Sequence, residues 1–452
     1  MELLEEIKTE ENNTILNKIS IKEIKFLLFP LIAMFMFYQY NMSANNLFMI
    51  IGILFLTFPV LFFKSDIAFY ILLFAISNER MLRHLNGGQS FIATMIVLLA
   101  IKLLLENHLK INKKILIYGL LIAIIMVIKN RVFNLLEIDT DLIRFILNSF
   151  IISSIIIIYK DKLYELALKS IYIYSLGVFF SSIVSLYHKV STNNSLMSIF
   201  SGRFASLRND PNYYTVSVSL AISLLLIYYL ISRKGSFKIL ILLSVLVIFG
   251  SLSLSRGFII ANIPNIVLLS IVFNKSRMNK KINFIISMGT MLILVNYGSM
   301  LNRIINSFTN RFTLQNIDSG RLVLWSTYLD ILTDSPQNLL FGLGQFDAEL
   351  FISKYGLENL AHNLILGAIV SNGFLITTLM VMILLLIYRN FRKYSNIKKW
   401  RFYYNIPLFV IIAGYMFLDA INSNSFFYGF CLSLFAAYIM YTYDCKKMNS
   451  AN

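Results

Sequence analysis

The sequence predicts an all-α polytopic membrane protein with about 12–14 transmembrane helices. Hydrophobic residues make up 58% of the 452 residues and charged residues only 14%, and the mean hydropathy is +0.71. Apolar runs of membrane-spanning length recur along nearly the whole chain, which a soluble domain does not show. Lysine-rich connectors separate many of these runs, as the cytoplasmic loops of membrane proteins do.

The elements follow in order from the N-terminus. Residues 1–25 mix glutamates and lysines without an apolar core, which predicts a cytoplasmic tail and not a cleaved signal peptide. A single transmembrane domain is expected at 26–443, followed by a cytoplasmic C-terminal tail at 444–452. Several spans, such as 67–78 and 115–128, fall short of the roughly 20 residues of a perpendicular span and are expected to be re-entrant or tilted pairs. The predicted spans are 26–43, 46–63, 67–78, 91–106, 115–128, 142–158, 166–187, 213–231, 237–254, 257–273, 282–297, 363–388, 404–420 and 424–443.

The connectors predict the orientation. With the N-terminus in the cytoplasm, the stretches "HLKINKK", "SRKGSF", "NKSRMNKK" and "RNFRKYSNIKKWR" all lie inside, as the positive-inside bias requires. The net charge of +17 is therefore explained by topology and gives no reason to expect nucleic acid as a partner. We expect a multi-pass membrane protein with both termini in the cytoplasm.

Several kinds of chemistry lack their motifs. There is no HExxH, no carboxylate cluster at ligand spacing, no Walker loop and no GxSxG elbow. Cys431 and Cys445 fall on one predicted helix, roughly 21 Å apart, which is beyond disulfide reach. The sequence therefore predicts neither a metal site nor a cofactor.

The charges predicted to lie outside are mostly arginines. A guanidinium group grips phosphate with two parallel hydrogen bonds, which an ammonium group does not. Each of these arginines has a second interpretation as an interfacial side chain that snorkels to the lipid headgroups. They are Arg80, Arg83, Arg131, Arg203, Arg208, Arg256, Arg303, Arg311 and Arg321, against only Lys129, Lys189 and Lys354.

Two outer segments, about 188–212 and 298–362, are too long to be simple turns, and long loops on a rigid scaffold tend to carry function. Within the second, "SGRLVLWSTYLDILTDSP" predicts a helix capped by Ser319 that ends before Pro336. A stripe at helical spacing would place this helix on the membrane surface or back onto the bundle. The stripe consists of Leu322, Trp325, Leu329 and Leu332.

His362 precedes an apolar run and so is expected at the start of a helix. The partial positive charge of a helix start opposes protonation and keeps the imidazole neutral, the form that takes a proton from a hydroxyl group. His362 is therefore a candidate general base. The alternative is that it caps the helix or lies in water at the interface.

Arg256, in "LSLSRGFII", lies between two apolar segments and so near the outer interface, where an arginine usually has an anionic partner. That partner is either a distant acid such as Asp210 or a ligand phosphate, and both interpretations stay open. Asp210 and Asn212 precede or begin a span, and Asp210 followed by Pro211 is typical of a helix cap and first turn.

The order of five short motifs resembles the O-antigen polymerase and ligase family of bacterial membrane glycosyltransferases. The motifs are "GRFASLRNDPN" before a span, "LSLSRG" at a tight outer turn, then "GRLVLW", "FGLGQF" and "AHNLIL" across the large outer loop. The resemblance covers roughly residues 200–390. It implies a GT-C-type glycosyltransferase architecture with its active site on the outer face.

The resemblance also implies the chemistry and the roles of individual residues. Family members move a glycan from undecaprenyl pyrophosphate to a hydroxyl group without a metal or a nucleotide. By this resemblance His362 is the catalytic base, while Arg203, Arg256 and Arg321 hold the pyrophosphate. The same pyrophosphate-binding role extends less directly to Arg208 and Arg311, because the spacing does not fix which arginine matches the family motif. Asp210, Asn212 and Asn363 are expected to support these residues. The expected partners are the lipid-linked donor and acceptor oligosaccharides, membrane lipids, a chain-length regulator and a flippase.

Three functions remain open from the sequence. The first is a polymerase that transfers growing O-antigen or capsule to the next lipid-linked repeat unit. The second is a ligase of the same family that passes finished glycan to lipid A core or to a protein hydroxyl. The third is a flippase or exporter without chemistry, which would be expected to line a central cavity with charges and to show inverted repeats.

Overall fold

The computed structural model describes an all-helical protein. Helix accounts for 91% of the described residues, which are 25–79, 82, 90–106, 112–132, 139–193, 204, 211–231, 237–253, 255–275, 321–343, 363–395, 397, 401–416 and 423–449. The helices within these ranges are α1 Leu28–Ser43, α2 Asn46–Phe62, α3 Ser65–Ile76, α4 Phe91–Leu105, α5 Lys113–Val132, α6 Thr140–Ile158, α7 Leu163–Asn193, α8 Pro211–Ile231, α9 Phe237–Leu252, α10 Arg256–Lys275, α11 Arg321–Thr333, α12 Pro336–Phe341, α13 Leu364–Tyr394, α14 Ile406–Tyr415 and α15 Asn424–Asn449.

The helices confirm that the chain is built to cross a membrane more than once. Six of the described helices are long and apolar enough to do so, and further apolar helices of 10–17 residues accompany them. Predicted and observed helices agree closely in position, from 26–43 for α1 to 424–443 for α15. The predicted span 282–297 and residues 1–24 of the N-terminal tail lie outside the described residues, as does most of the loop 298–362. In contrast, the predicted C-terminal tail from 444 continues α15 as far as Asn449.

Polar side chains cap the starts of helices α6 and α12. Asp139 accepts from the backbone N–H groups of Asp141 and Leu142 at the start of α6, and Ser335 caps α12 ahead of Pro336. Because the first N–H groups of a helix have no partner within it, such side chains remove a cost of up to about 2 kcal/mol.

Helix α8 is the centre of the bundle, because its apolar window of 18 residues is 100% buried. Helix α15 follows, with 83% of its own 18-residue window buried. Helix α8 packs against α7, α9, α10 and α14, and α15 packs against α7, α8 and α14. In contrast, only 33% of the corresponding window of α1 is buried. Helices α1 and α2 therefore form the rim of the bundle, next to α3 and α4.

Contacts between helix ends define two ends of the bundle. At one, Tyr404, just before α14, donates to Asp444 of α15 over 3.0 Å, and Ser65 of α3 donates to Glu106 after α4 over 2.8 Å. We call this the Asp444 end. At the other, Ser255 before α10 contacts Asn212 of α8. We call this the Asn363 end, because α13 begins there after Asn363.

Helix α3 stops inside the bundle. The side-chain amide of Asn78, two residues after α3, donates to the carbonyl oxygen of Gly177 over 3.2 Å. Gly177 lies near the midpoint of α7, so about 24 Å of α7 continues beyond this level toward the Asn363 end. The 12 residues of α3 are therefore too few for a full span, as the predicted span 67–78 suggested. The predicted span 115–128 is instead a helix of 20 residues, α5.

Helix α13 is broken at Gly373. Its φ of 76° and ψ of 169° interrupt the helix, in a region of backbone conformation that is essentially restricted to glycine. A Cβ atom at Gly373 would lie 2.3 Å from the carbonyl oxygen of Leu340, and one at Gly342 would lie 2.5 Å from the Gly373 nitrogen. Both glycines are thus required where the end of α12 meets the break in α13.

Helix α11 packs back onto the bundle, one of the two predicted outcomes, and ends at Thr333 before Pro336. Its buried residues are Tyr328 and Leu332, which contact Leu366 and Val370 of α13, with Trp325 packed beside them. Leu329 is 52% exposed, so its predicted place in the apolar stripe is wrong. Tyr328 takes that place because the buried face is turned by one residue.

Candidate functional site

The structure places part of the predicted site. Asn212 and Asn363 are described in full, while for Arg256 and Arg321 the backbone is described and forms the first residue of α10 and of α11. Pro211 begins α8, as predicted. The remaining predicted site residues lie outside the described residues: His362, Arg203, Arg208, Asp210 and Arg311.

Asn363 is the N-cap of α13. Its side-chain oxygen accepts from the backbone N–H groups of Ile365 and Leu366, both over 3.1 Å. The helix start predicted next to His362 is confirmed by this geometry, and the capping hydrogen bonds belong to Asn363. Asn363 therefore fixes where α13 begins.

Two of the five motifs are hydrogen-bonded to each other at the Asn363 end. Ser255 of "LSLSRG" donates to the side-chain oxygen of Asn212 in "GRFASLRNDPN" over 2.8 Å. The backbone N–H of Phe204 in the same motif donates to the carbonyl oxygen of Leu252 over 3.1 Å. The ring of Phe204 is buried and stacks on Phe249 with centroids 5.2 Å apart. Side chain and backbone thus join stretches more than 40 residues apart in sequence.

The other three motifs meet in a separate apolar cluster. Trp325 of "GRLVLW" and Leu343 of "FGLGQF" pack against the cluster that contains Leu366 of "AHNLIL". The backbone N–H of Leu343 also donates to the carbonyl oxygen of Val370 over 2.6 Å. The five motifs thus form two groups, one around the starts of α8 and α10 and one around the start of α13.

A buried polar network, not anticipated from the sequence, lies where α3 ends and α15 begins. Tyr428 donates to Asn148 over 2.7 Å, Asn148 donates to Asn424 over 2.9 Å, and Asn424 donates to Glu79 Oε1 over 3.1 Å. Asn148 and Tyr428 are fully buried, whereas Glu79 is half-buried. We call these four residues the Glu79 cluster.

The break in α13 is the second unanticipated polar feature. Lys129 of α5 is buried, and its ammonium group donates to the carbonyl oxygen of Ser371, two residues before the break, over 2.6 Å. The next residue, Asn372, is fully buried, and neither its amide nitrogen nor its amide oxygen has a hydrogen-bond partner among the described residues.

Charged groups surround the start of α6 at the same end. Arg144 forms an ion pair with Asp141. Burial raises the pKa of Asp139, while the Leu142 N–H and the charges of Lys129 and Arg144 oppose that shift. The net direction means that loss of hydration outweighs the nearby positive charges at this carboxyl group. Among the described residues, no group of three or more His, Cys, Asp or Glu side chains is arranged to hold a metal ion.

An apolar cavity of about 620 Å³ lies between α1, α3 and α7, next to the contact of Asn78 with Gly177. Its lining includes Leu28, Leu31, Phe74 and Leu176. Such a surface accommodates hydrocarbon and offers little to a polar ligand.

The sequence carried a signal for the unanticipated residues. Asn148 and Asn424 are polar residues inside or at the edge of predicted spans, and polar residues in membrane helices usually have partners in the bundle. Their partners were not identifiable, because the bonded residues are 276 to 345 positions apart.

No protein-family model matches the chain, and no curated protein matches it.

Proposed function

We propose that this chain is a metal-independent membrane glycosyltransferase of polysaccharide assembly. In this proposal it is a polymerase that transfers glycan from undecaprenyl pyrophosphate to a lipid-linked repeat unit on the outer face of the bacterial cytoplasmic membrane. Two motifs of the family it resembles begin α8 and α10 at the Asn363 end, and the other three cluster around the start of α13.

The observation that carries the proposal is the pair of hydrogen bonds between the first two motifs. They connect Phe204 to Leu252 and Asn212 to Ser255. Arg203 precedes Phe204 in the sequence, and Arg256 follows Ser255. The two arginines therefore belong to chain segments that these hydrogen bonds hold together. A joined pair of guanidinium-bearing segments is what a pyrophosphate clamp requires.

The proposed reaction is a displacement at the anomeric carbon of the donor sugar. The acceptor hydroxyl oxygen forms the new bond to that carbon, the bond from the carbon to the pyrophosphate oxygen breaks, and undecaprenyl pyrophosphate leaves. His362 takes the proton of the acceptor hydroxyl group. Arg203, Arg256 and Arg321 stabilise the negative charge that develops on the leaving pyrophosphate, more effectively in a partly dry site than in water.

The apolar cavity between α1, α3 and α7 supports the proposal that the substrate is linked to a lipid. Its lining side chains, such as Leu31 and Leu176, favour hydrocarbon over water. A polyprenyl chain bound there would hold the attached sugar close to the protein and make the reaction effectively intramolecular.

The test is the surface polysaccharide made by cells that carry single variants. His362→Ala removes the base and Arg256→Lys removes the two-pronged phosphate contact. We expect both to yield single repeat units or no polymer. Long chains from both variants would contradict the proposal.

Matched controls use the same residue types at the same end of the bundle. His188→Ala replaces a histidine whose ring contacts Tyr38 over 3.3 Å, and Arg131→Lys replaces an exposed arginine of α5. Both should make chains of normal length at equal protein levels in the membrane. A ligase gives a different pattern with His362→Ala, in which long glycan accumulates on undecaprenyl pyrophosphate without transfer.

An exporter of lipid-linked glycan is the second candidate, and the break in α13 favours it. Broken membrane helices recur at the binding sites of transporters, where freed backbone carbonyl groups coordinate cations, and at this break the Ser371 carbonyl oxygen accepts from the Lys129 ammonium group. An exporter should tolerate His362→Ala and should lose function when Lys129 is replaced.

A further inference from the structure

We propose that the Glu79 cluster is a binding subsite for the hydroxyl groups of the acceptor sugar. This inference rests on the proposed function and names a place for the second substrate. It adds the four residues of the Glu79 cluster to the site, none of which the motifs include.

The direction of the hydrogen bonds is set by the carboxylate. An ionised Glu79 only accepts hydrogen bonds, so Asn424 must turn its amide nitrogen toward Glu79 and its oxygen toward Asn148. Asn148 then donates to Asn424 and accepts from Tyr428. Every donor in the cluster therefore points toward Glu79, which strengthens each bond in turn and holds the carboxylate in one orientation.

The atoms left over at this place are acceptors. Among the described residues, the side-chain hydrogen bond of Glu79 involves Oε1 only, and the residue is half-buried, so the carboxylate remains reachable. Asn78, the residue before Glu79, is 2% exposed, and its amide nitrogen donates to the carbonyl oxygens of Phe74 and Gly177. Its side-chain oxygen has no hydrogen-bond partner among the described residues. The reachable acceptor is the carboxylate of Glu79, which suits a ligand that brings donors.

The depth of the cluster fits a substrate entering from the Asn363 end. Asn148 is the ninth residue of α6, so it lies about 12 Å from the start of that helix at the Asn363 end. Gly177 contacts Asn78, the residue before Glu79, and α7 continues for about 24 Å beyond Gly177 toward the same end. A sugar is rich in hydroxyl donors, and a half-buried carboxylate held by the hydrogen bond from Asn424 accepts from them in a fixed geometry. A site made in this way discriminates strongly against a ligand that lacks the hydroxyl groups.

The experiment measures binding to the full chain in lipid nanodiscs by native mass spectrometry. One probe is the lipid-linked repeat unit extracted from cells that lack this chain, and the other is undecaprenyl pyrophosphate without sugar. Glu79→Gln keeps the shape of the side chain and removes its charge. It should weaken binding of the first probe by about tenfold or more, as expected from loss of a charge-assisted hydrogen bond, and leave the second unchanged.

The control variant is Asp141→Asn, an acid in the first turn of α6 that pairs with Arg144. It should bind both probes as the unaltered chain does. If Glu79→Gln weakens the binding of both probes equally, or weakens the binding of neither, the subsite is overturned. An ion pair of Glu79 with an arginine of this chain would give the second result together with a lower unfolding temperature.

A footprint of the unaltered chain covers the case in which Glu79→Gln does not fold. Carbodiimide coupling should label Glu79, and the lipid-linked repeat unit should protect it while undecaprenyl pyrophosphate does not. Equal protection by both probes, or by neither, overturns the inference. The two proposals fail separately: long chains from both His362→Ala and Arg256→Lys cells refute the proposed function, whereas unchanged binding of the lipid-linked repeat unit to Glu79→Gln refutes the subsite.

Discussion

The Glu79 cluster and the break in α13 are two polar regions inside the same apolar bundle, and they differ in how their polar atoms are satisfied. In the cluster, Tyr428, Asn148 and Asn424 are linked one to the next and finally to Glu79. At the break, Lys129 satisfies the carbonyl of Ser371, but both ends of the Asn372 amide lack partners among the described residues.

The difference teaches which region is rigid and which is poised to change. A linked network has one best arrangement, because each group fixes the next. An unpartnered amide in a fully buried position costs about 1–3 kcal/mol for each unmet group, so any arrangement or ligand that pairs it is favoured. We therefore expect the cluster to position a substrate and the break to be the place where the bundle moves.

The largest expected effect comes from Gly373→Ala. The added Cβ would lie 2.3 Å from the carbonyl oxygen of Leu340, and the backbone conformation itself is strained for alanine by about 1–3 kcal/mol. We expect the free energy of unfolding to fall by more than about 3 kcal/mol, so that little folded protein remains. Gly119→Ala is the control, because its Cβ would lie 3.2 Å from a side-chain methyl of Ile146. Thermal unfolding in detergent should separate the two variants, and equal midpoints would mean that the break is absent.

The next effect concerns the ammonium group at the break. Lys129→Met removes the donor to Ser371 and should cost about 1–3 kcal/mol, because a buried carbonyl is left without a partner. Arg131→Met removes a positive charge from the exposed face of the same last turn and should change stability by less than about 0.5 kcal/mol. Unfolding curves in mixed micelles measure both, and similar values would refute the capping role of Lys129.

A smaller effect tests the linkage within the cluster. Asn148→Leu and Tyr428→Phe each remove one member of a 2.7 Å hydrogen bond. In a double-mutant cycle their costs should not add, with a coupling of about 0.5–1 kcal/mol. Additive costs would show that the two side chains act independently and that the cluster is not one network.

The smallest effect is a pH dependence at the start of α6. The pKa of Asp139 is raised in the folded protein above the ordinary value of 3.8. The folded state thus holds the proton of Asp139 more tightly, so the contribution of this group to stability is fully present below pH 3.8 and is lost as the pH rises through the raised pKa. Asp139→Asn keeps an oxygen for the cap and does not titrate. Its thermal midpoint should change less across this range than that of the unaltered chain, and parallel curves would contradict the assignment.

The positions of the helices could be predicted from the sequence because each depends on local hydropathy and on its own capping residue. Asn363 and Pro211 mark the starts of α13 and α8 in the sequence as they do in the structure. The start of a helix next to His362 was predictable for the same reason. Local rules also gave α11 its end at Thr333 before Pro336.

What could not be predicted depends on contacts between distant segments. Gly373 is one of 19 glycines, and only its approach to Leu340 distinguishes it from a glycine inside a continuous helix. Glu79 lies in an unremarkable polar stretch, and its partner Asn424 is 345 positions away. Tyr328 rather than Leu329 is buried because α13 determines which face of α11 is covered.

Reconstitution of the purified chain in liposomes tests the central claim most directly. The lipid-linked repeat unit is supplied as the sole substrate, and both glycan length and the amount of free undecaprenyl pyrophosphate are measured. A polymerase should make glycans longer than one repeat unit and should release one undecaprenyl pyrophosphate for every new linkage. The His362→Ala variant should form neither product. Repeat units that cross the bilayer without any change in length would contradict the central claim and would identify an exporter.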